Sequence, residues 1–185
     1  MHETNHKSIT LIVGGVRSGK SQLAQQLAAG KERVTFLATA QPVDDEMREK
    51  IERHRRERPS TWVTVEEPVE LDAAIQEHGA FADIVLIDCL TTFAANAMAL
   101  EDGKIDRVRE RVQRLCSALR AVKASIVLVS NEVGSGVVPP FVAGRMFRDL
   151  LGEINQKIAA LSDNVLFMVA GLPLVIKGRL EVWGS

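Results

Sequence analysis

The sequence predicts an α/β fold in three layers, with helices covering both faces of a mostly parallel central sheet. Two observations predict it. Short runs of β-branched and apolar residues alternate along the chain with longer amphipathic stretches, the order that builds βαβ units with right-handed crossovers. The runs at residues 84–87 and 126–129 are apolar at every position, as in strands that are covered on both faces.

Each element follows from its own pattern. Apolar, β-branched runs predict strands at residues 9–13, 33–38, 62–65, 84–88, 125–130, 165–169 and 179–183. Apolar residues at helical spacing predict helices at residues 20–29, 44–58, 69–78, 106–123 and 142–161. The longest apolar run, residues 165–176, contains Gly171 and Pro173, so we interpret it as a buried pair of strands and not as a membrane span.

The composition is that of an ordinary globular chain. Of the 185 residues, 46% are hydrophobic and 25% charged, and we expect a single domain over residues 1–185 in which residues 1–7 are flexible. The 23 basic and 24 acidic residues nearly cancel, which gives no general attraction to nucleic acid or to anionic membranes. Cys89 and Cys116 lie far apart in apolar surroundings and are predicted to be reduced core thiols of a cytoplasmic protein.

The residues after the first predicted strand form a phosphate-binding loop. Residues 14–21 fit the pattern G-x-x-x-x-G-K-[ST] between a strand and a helix. Glycines let backbone N–H groups turn towards a polyphosphate, and the helix adds its positive amino end. Lys20 is expected to reach the β- and γ-phosphates, and the Ser21 hydroxyl to bind Mg²⁺. The fold is therefore predicted to be P-loop NTPase-like, with a nucleotide held by Gly14, Gly15, Val16, Arg17, Ser18, Gly19, Lys20 and Ser21.

Asp88 ends the apolar run at residues 84–87. Because ligands gather at the carboxyl ends of parallel strands, its carboxylate is positioned to be a second ligand of Mg²⁺. The alternative is that Asp88 caps the helix that begins near Leu90. Its position at the end of a strand favours the metal role, but the sequence leaves both interpretations open.

The second predicted helix is dense in charge, with acidic residues first and basic residues last. Met47, Ile51 and His54 recur at helical spacing, which places His54 on the apolar, inward face of that helix. Arg55 and Arg58 flank the same face. His54 is therefore either an ordinary buried histidine or a side chain that binds or attacks a phosphate, and spacing alone does not decide between them.

Several motifs that follow one another along the chain are those of one family. They are residues 14–21, Ala38-Thr39-Ala40, Asp45-Glu46-Met47, Ile51-x-x-His54-Arg55-x-x-Arg58-Pro59-x-x-Trp62, Ile87-Asp88-Cys89-Leu90-Thr91, Asn131-Glu132-Val133-Gly134-x-Gly136-x-Val138-Pro139, Arg145-x-Phe147-Arg148-Asp149-x-x-Gly152-x-x-Asn155-Gln156 and Gly171-Leu172-Pro173-x-x-Ile176-Lys177-Gly178. On these motifs the chain resembles the bifunctional adenosylcobinamide kinase / adenosylcobinamide-phosphate guanylyltransferase family of cobalamin biosynthesis.

The resemblance implies two reactions. ATP or GTP phosphorylates the aminopropanol hydroxyl of adenosylcobinamide, and GMP is then transferred from GTP to that phosphate to give adenosylcobinamide-GDP. In the family the GMP passes through a covalent intermediate on the histidine that matches His54. Beyond the phosphate-binding loop, the residues that match the family's GTP contacts are Ala38, Thr39, Ala40, Arg55, Arg56, Glu57, Arg58, Glu66 and Asp88. Glu66 is chosen over Glu67 by its distance from the motif, and homo-oligomers, trimers among them, are implied as well.

Two segments remain without a part in nucleotide binding: residues 91–104 and the Gly- and Pro-rich loop at residues 134–140. A bulky corrinoid needs an open surface, and loops at strand ends are common recognition sites. The alternative for residues 134–140 is a structural turn.

Two other functions share part of the pattern. A single-activity small-molecule kinase would keep the phosphate-binding loop and Asp88, but it would have no use for an inward His54 flanked by arginines. A nucleotide-binding regulatory module would bind GTP without turnover. The argument against both rests on the family resemblance.

Overall fold

The structure is a computed structural model that describes residues 7–56 and 58–180, with the backbone only at residue 50. Glu57, a predicted nucleotide contact, lies outside the described residues, as do residues 181–185 of the last predicted strand. The flexibility predicted for residues 1–7 also falls outside them, except at Lys7. The Lys7 Nζ donates hydrogen bonds to the carbonyl oxygens of Leu119 and Arg120, at 2.9 and 2.6 Å.

The described chain alternates strands and helices, with a short 3-10 turn at Gly79–Phe81. The strands are β1 (Ile9–Gly14), β2 (Val34–Ala38), β3 (Val63–Glu66), β4 (Ile84–Asp88), β5 (Ser125–Asn131), β6 (Asn164–Val169) and β7 (Leu172–Lys177). The helices are α1 (Lys20–Ala28), α2 (Asp45–Arg56), α3 (Leu71–His78), α4 (Leu90–Leu100), α5 (Ile105–Ala121) and α6 (Val142–Leu161).

These strands form one sheet in the order β3-β2-β4-β5-β1-β6-β7. All neighbours pair in parallel except β6 and β7, which are antiparallel. Parallel strands direct their carboxyl ends to one edge of the sheet, so the segments that follow β1, β2, β3, β4 and β5 all emerge there. Only β5 separates β1 from β4 at that edge. The mostly parallel sheet between helices confirms the predicted fold.

Helices cover the two faces of the sheet unequally. On one face α3, α4, α5 and α6 enclose a core that includes Phe93, Leu119 and Ile154. On the other face α1 packs Leu23 and Leu27 against the sheet. α2 contributes no fully buried side chain among its described residues, so it lies at the surface. Within residues 7–56 and 58–180, no helix combines the length and the apolarity that crossing a membrane requires.

α4 is missing from the helices predicted by apolar spacing, although a helix beginning near Leu90 was named as one that Asp88 could cap. Its buried side chains, Leu90, Phe93, Ala94 and Ala97, recur at the i, i+3, i+4 and i+7 spacing of a helix. That signal was present in the sequence, but small residues surround it and blur the contrast between the apolar and the polar face.

The strand predicted at residues 179–183 is wrong at residues 179 and 180, which lie outside any strand. The last described strand is β7, which pairs with β6 through a two-residue turn at Ala170 and Gly171. Both residues have positive φ, 51° and 82°, as the type I′ hairpin turn requires. The expected strand pair at residues 165–176 is confirmed, but only β6 is largely buried. β7 is an edge strand and is mostly exposed.

Candidate active site

Several of the predicted site residues lie at the carboxyl edge of the sheet. Ala38, the last residue of β2, is paired with Glu66 at the end of β3 and with Asp88 at the end of β4. Neighbouring strands lie about 4.8 Å apart, so these three residues form a row across the sheet. The phosphate-binding loop begins at Gly14, at the end of β1. The strand order therefore brings together at one edge segments that are far apart in the sequence.

The phosphate-binding loop curls around the side chain of Lys20. Gly19 precedes α1 with a φ of 95°, a left-handed conformation that favours glycine. Lys20 is only 7% exposed, and its Nζ donates hydrogen bonds to the carbonyl oxygen of Gly15 at 2.5 Å and to Ser18 Oγ at 3.5 Å. Gly15, Val16 and Arg17 face solvent, and Ser21 is half-buried on the first turn of α1.

The β6–β7 hairpin supports this loop from behind, a contact that the sequence analysis missed. The Gly171 N–H donates to the carbonyl oxygen of Ser18 at 3.1 Å. A Cβ on Gly14 would lie 2.6 Å from the carbonyl oxygen of Met168, and one on Gly19 would lie 3.3 Å from Gly171 Cα. The one available signal was Gly171, a glycine inside an apolar run, which can mark a close approach of two backbones.

Thr39 links the ends of β2 and β4. Its side chain has no exposed surface, its Oγ1 accepts a hydrogen bond from the Cys89 N–H at 2.8 Å, and the same hydroxyl lies 2.8 Å from the Cys89 carbonyl oxygen. It also contacts Thr92 Oγ1. Asn96 Nδ2 donates to the Thr39 carbonyl oxygen at 2.8 Å, and the Thr39 N–H donates to that of Asp88 at 3.1 Å. Thr39, which was predicted to contact the nucleotide, is therefore a buried residue whose hydrogen bonds join the end of β2 to the end of β4.

Asp88 stands at the site with a half-buried carboxylate. The residue that precedes α4 as its N-cap is Cys89, and no side chain caps that helix, so the capping alternative for Asp88 is not realised. Burial, and next to it the Asp88 charge, raise the pKa of the Cys89 thiol. Burial also raises the pKa of Cys116, and both cysteines are free, in agreement with their predicted state as thiols.

His54 lies on α2 and is half-buried. Met47 and Ile51 are the other described residues of α2 that are less than fully exposed, so the expected common face exists. None of the three side chains is in the core, so this face is less inward than the spacing predicts, and His54 is half-buried and not a fully buried histidine. Arg55 Nη2 reaches Glu66 Oε1 at 3.6 Å, so basic residues of this helix end extend to the strand ends.

Arg58 connects the chain after α2 to the sheet. Its guanidinium carbon lies 3.6 Å from the centroid of the Phe36 ring, which is stacked with Trp62 at a centroid distance of 6.5 Å. Burial lowers the pKa of Arg58, while the charge of Asp88 acts in the opposite direction. Its Nε is buried without a hydrogen-bond partner, and buried donors of this kind are rare in native structures.

The end of β5 adds polar residues to which the sequence analysis gave no catalytic or binding part. The Glu132 N–H donates to the Gly14 carbonyl oxygen at 3.1 Å, which joins β5 to the phosphate-binding loop. The Asn131 N–H donates to Thr91 Oγ1 at 2.8 Å, and Asn155 Nδ2 donates to the Asn131 carbonyl oxygen at 3.0 Å. The motif at the end of β5 could be recognised in the sequence. The contacts of these residues could not be predicted from it, because they depend on how α4 and α6 pack on the sheet.

Comparison with known proteins identifies the family. A family model described as cobinamide kinase / cobinamide phosphate guanyltransferase matches residues 10–176. The chain is 42% identical over 171 residues to the bifunctional adenosylcobalamin biosynthesis protein CobP of Pseudomonas aeruginosa, an alignment that covers 91% of this chain and 97% of that protein. It is 38% identical over 178 residues to the bifunctional adenosylcobalamin biosynthesis protein CobU of Escherichia coli, covering 90% and 98%. The chain belongs to the cobinamide kinase / cobinamide phosphate guanyltransferase family.

Membership of this family confirms the resemblance drawn from the sequence motifs. The protein is an enzyme with two activities of adenosylcobalamin biosynthesis, a cobinamide kinase and a cobinamide phosphate guanyltransferase. A third relative, the bifunctional adenosylcobalamin biosynthesis protein CobU of Salmonella typhimurium, is 37% identical over 178 residues, covering 90% of this chain and 98% of that protein. The single-activity kinase and the regulatory module are not supported. The roles predicted for individual residues remain predictions.

Proposed function

We propose that this enzyme holds its nucleoside triphosphate at the phosphate-binding loop, phosphorylates adenosylcobinamide with ATP or GTP, and then transfers GMP from GTP through a covalent intermediate on His54. The observation that carries the proposal is the position of Arg58. Through this side chain, which lies over the Phe36 ring with its Nε buried and without a hydrogen-bond partner, the segment that follows His54 is attached to β2. The last residue of β2, Ala38, is paired with Asp88 in the sheet.

In the kinase reaction the aminopropanol hydroxyl oxygen attacks the γ-phosphorus. The bond to the β,γ-bridging oxygen breaks, the nucleoside diphosphate leaves, and the hydroxyl proton passes to solvent. Backbone N–H groups and Lys20 stabilise the charge on the phosphates. Support for the part of Lys20 comes from its contact with Gly15, since the ammonium group points into its own loop.

In the guanylyl transfer an imidazole nitrogen of His54 attacks the α-phosphorus of GTP. The bond to the α,β-bridging oxygen breaks, and pyrophosphate leaves. The neutral imidazole is a competent nucleophile near neutral pH. A phosphate oxygen of adenosylcobinamide phosphate then attacks the same phosphorus, and the P–N bond breaks to restore the histidine. Arg55 and Arg58 offset the charge on the transferred group.

The proposed nucleotide contacts combine side chains with backbone. They are Gly14, Gly15, Val16, Arg17, Ser18, Gly19, Lys20, Ser21, Ala38, Thr39, Ala40, Arg55, Arg56, Arg58, Glu66 and Asp88, together with Glu57, which lies outside the described residues. The Thr39 hydroxyl is already hydrogen-bonded to the backbone of Cys89. We therefore propose that Thr39 helps nucleotide binding by holding the strand ends in place and not through its side chain.

Ser21 and Asp88 would hold Mg²⁺. A hydroxyl and a carboxylate supply the oxygen ligands that this ion prefers, and in phosphoryl-transfer sites it takes few protein ligands together with substrate phosphates. Ser21, on the first turn of α1, and Asp88, the last residue of β4, both lie at or after the carboxyl ends of parallel strands, so their oxygens lie at the edge where a phosphate would be held. When bound, the ion offsets negative charge on the phosphates.

The test is covalent labelling with GTP that carries the label on the α-phosphate. We expect acid-labile, alkali-stable label on the denatured chain, and none in His54→Ala. The same variant keeps γ-phosphate transfer to adenosylcobinamide, because His54 has no part in that step. His78→Ala, at the end of α3, is the matched control and keeps the label.

Two results would contradict the proposal. Label that persists in His54→Ala would move the covalent intermediate to another residue. An unlabelled parent enzyme that still forms adenosylcobinamide-GDP would remove the covalent step and leave direct transfer from GTP to the substrate phosphate.

We further propose that the enzyme is a homo-oligomer, a trimer as the family resemblance implies. Support comes from the edge strand β7, where Leu172, Leu174 and Ile176 are exposed on one face. Apolar edge strands invite pairing with another chain. A cytoplasmic location is proposed as well, because Cys89 and Cys116 are free thiols.

A further inference from the structure

An exposed apolar surface lies on the loop between β5 and α6. Val137 is 95% exposed, Phe141 78% and Val138 59%, and Val142 is exposed at the start of α6. We call residues 132–142 the β5–α6 loop. Single exposed apolar residues are ordinary, but a group of four in one short segment marks a surface that contacts another molecule.

The first half of this loop is held by charged side chains. Glu132 Oε1 accepts hydrogen bonds from the N–H groups of Gly134 at 2.6 Å and Ser135 at 3.2 Å. Arg148, on α6, donates to the Gly134 carbonyl oxygen at 2.8 Å. Burial acts to raise the pKa of Glu132, but the hydrogen bonds from Ser135 and Gly134 outweigh it and lower that pKa, so the carboxylate stays charged.

The second half is fixed by the first turns of α6. Arg145 Nη1 donates to the carbonyl oxygens of Pro139 and Pro140, at 3.1 and 2.7 Å. A Cβ on Gly144 would lie 2.7 Å from Pro139 Cβ, so the loop packs directly on the helix. An ordered loop that presents apolar side chains to solvent loses little conformational entropy when a ligand covers it.

The loop begins beside the phosphate-binding loop. β5 is the neighbour of β1 in the sheet, and the Glu132 N–H is bonded to the Gly14 carbonyl oxygen at 3.1 Å. Any acceptor whose hydroxyl meets a phosphate held after Gly14 must extend over a neighbouring surface. The β5–α6 loop starts next to Gly14, at Glu132, and its exposed apolar residues follow further along the same segment.

We propose that the β5–α6 loop is the surface on which the corrin ring of cobinamide rests, with Val137 and Val138 as its apolar contacts. The proposal rests on the cobinamide activity of the family. A corrin carries methyl groups and amide side chains around its edge, so it matches apolar side chains set among backbone N–H and C=O groups. Its aminopropanol arm would then extend towards the phosphate-binding loop. A second copy of the chain is the less favoured occupant, because it would cover the approach to the phosphates.

The test uses Val137→Asp and Val138→Asp in the full-length enzyme. Binding of cobinamide is measured by equilibrium dialysis, with the visible absorbance of the corrin as the readout. We expect each change to weaken binding about tenfold or more, the effect of losing the burial of one valine side chain. The conservative variant Val137→Ile keeps the affinity. Val63→Asp is the matched control, since Val63 is also exposed but begins β3 at the opposite edge of the sheet.

Covalent labelling of the same variants by α-labelled GTP separates this proposal from the proposed function. The label does not depend on cobinamide, so we expect it unchanged in both Asp variants. Unchanged cobinamide affinity in both Asp variants would overturn the proposal, and an accompanying fall in molar mass would assign the loop to a contact between copies. Absence of label in the parent enzyme would contradict the covalent intermediate on His54. It would not contradict the proposal for the β5–α6 loop, because equilibrium dialysis measures cobinamide binding independently of the label.

Discussion

Thr39 is a single residue that holds two strand ends in place. Its hydroxyl bridges the backbone N–H and C=O of Cys89, the residue directly after Asp88. Backbone groups buried without a partner destabilise a protein, so this hydroxyl satisfies groups that water cannot reach. The Thr39 N–H also donates to the Asp88 carbonyl oxygen at 3.1 Å, so Thr39 holds the backbone that carries the Asp88 carboxylate.

We predict that Thr39→Val lowers the free energy of unfolding by about 1–3 kcal/mol, because valine keeps the shape but leaves the Cys89 N–H without an acceptor. Urea unfolding followed by circular dichroism measures the change. We expect the variant also to need more Mg²⁺ for half-maximal activity, since Asp88 loses its fixed position.

Thr39→Ser is the matched control, because it keeps the hydroxyl and loses one methyl group. We expect it to retain the Mg²⁺ dependence of the parent enzyme. Equal Mg²⁺ dependence in Thr39→Val and the parent enzyme would contradict the positioning role of Thr39.

At the scale of elements, the phosphate-binding loop and the β6–β7 hairpin form one unit. The hairpin turn approaches Ser18 and Gly19, and Met168 approaches Gly14. Gly14 and Gly19 therefore let a second backbone pack behind the loop, and Gly19 also adopts the left-handed φ of 95° that precedes α1. The hairpin needs its own positive φ values at Ala170 and Gly171 to make this approach.

Gly14→Ala is predicted to destabilise the enzyme by about 1–3 kcal/mol through overpacking against Met168. Nucleotide affinity falls in parallel, because the loop must shift away from the hairpin. Isothermal titration with GTP and thermal unfolding measure the two effects.

Gly15→Ala is the matched variant for stability, since a Cβ at that position has no neighbour within 4 Å. We expect its melting temperature to stay near that of the parent enzyme. If Gly14→Ala melted at the parent temperature too, the close packing of the hairpin on the loop would be disproved.

At the scale of the whole molecule, the sheet is covered unevenly. Four helices bury one face, α1 covers part of the other, and β7 leaves an apolar edge in solvent. Pro173, which has no N–H to donate, is tolerated in β7 because that strand is at the edge. The exposed β7 side chains are therefore the surface on which the proposed oligomer is tested.

Ile176→Lys is predicted to reduce the oligomer to a chain of 20.3 kDa, because a charge on the edge strand opposes pairing with another copy. Light scattering coupled to size exclusion measures the molar mass. Phe81→Lys, at an apolar position on the 3-10 turn that is 76% exposed against 61% for Ile176, is the control and leaves the mass unchanged. A parent enzyme that is monomeric at micromolar concentration would refute the oligomer itself.

The sequence by itself determined the fold class, most strands and helices, and the phosphate-binding loop. These features depend on residues that are close together in the sequence. A run of apolar residues predicts a strand, and apolar residues three or four positions apart predict a helix. The phosphate-binding loop is a motif of eight consecutive residues. The family motifs added His54 and Asp88 as candidates. Apolar spacing missed most of α4, where small residues weaken the periodic signal, and it wrongly predicted strand at residues 179 and 180.

Only the tertiary structure decided what these residues contact. The bond from Thr39 to Cys89, the stacking of Arg58 on Phe36 and the approach of Gly171 to Ser18 join residues distant in sequence. Such contacts depend on strand order and register, which long-range packing selects and no local pattern encodes. Helical spacing likewise predicted that His54 shares one face of α2 with Met47 and Ile51. That this face is only half-buried depends on how α2 packs on the rest of the protein, which the spacing does not encode.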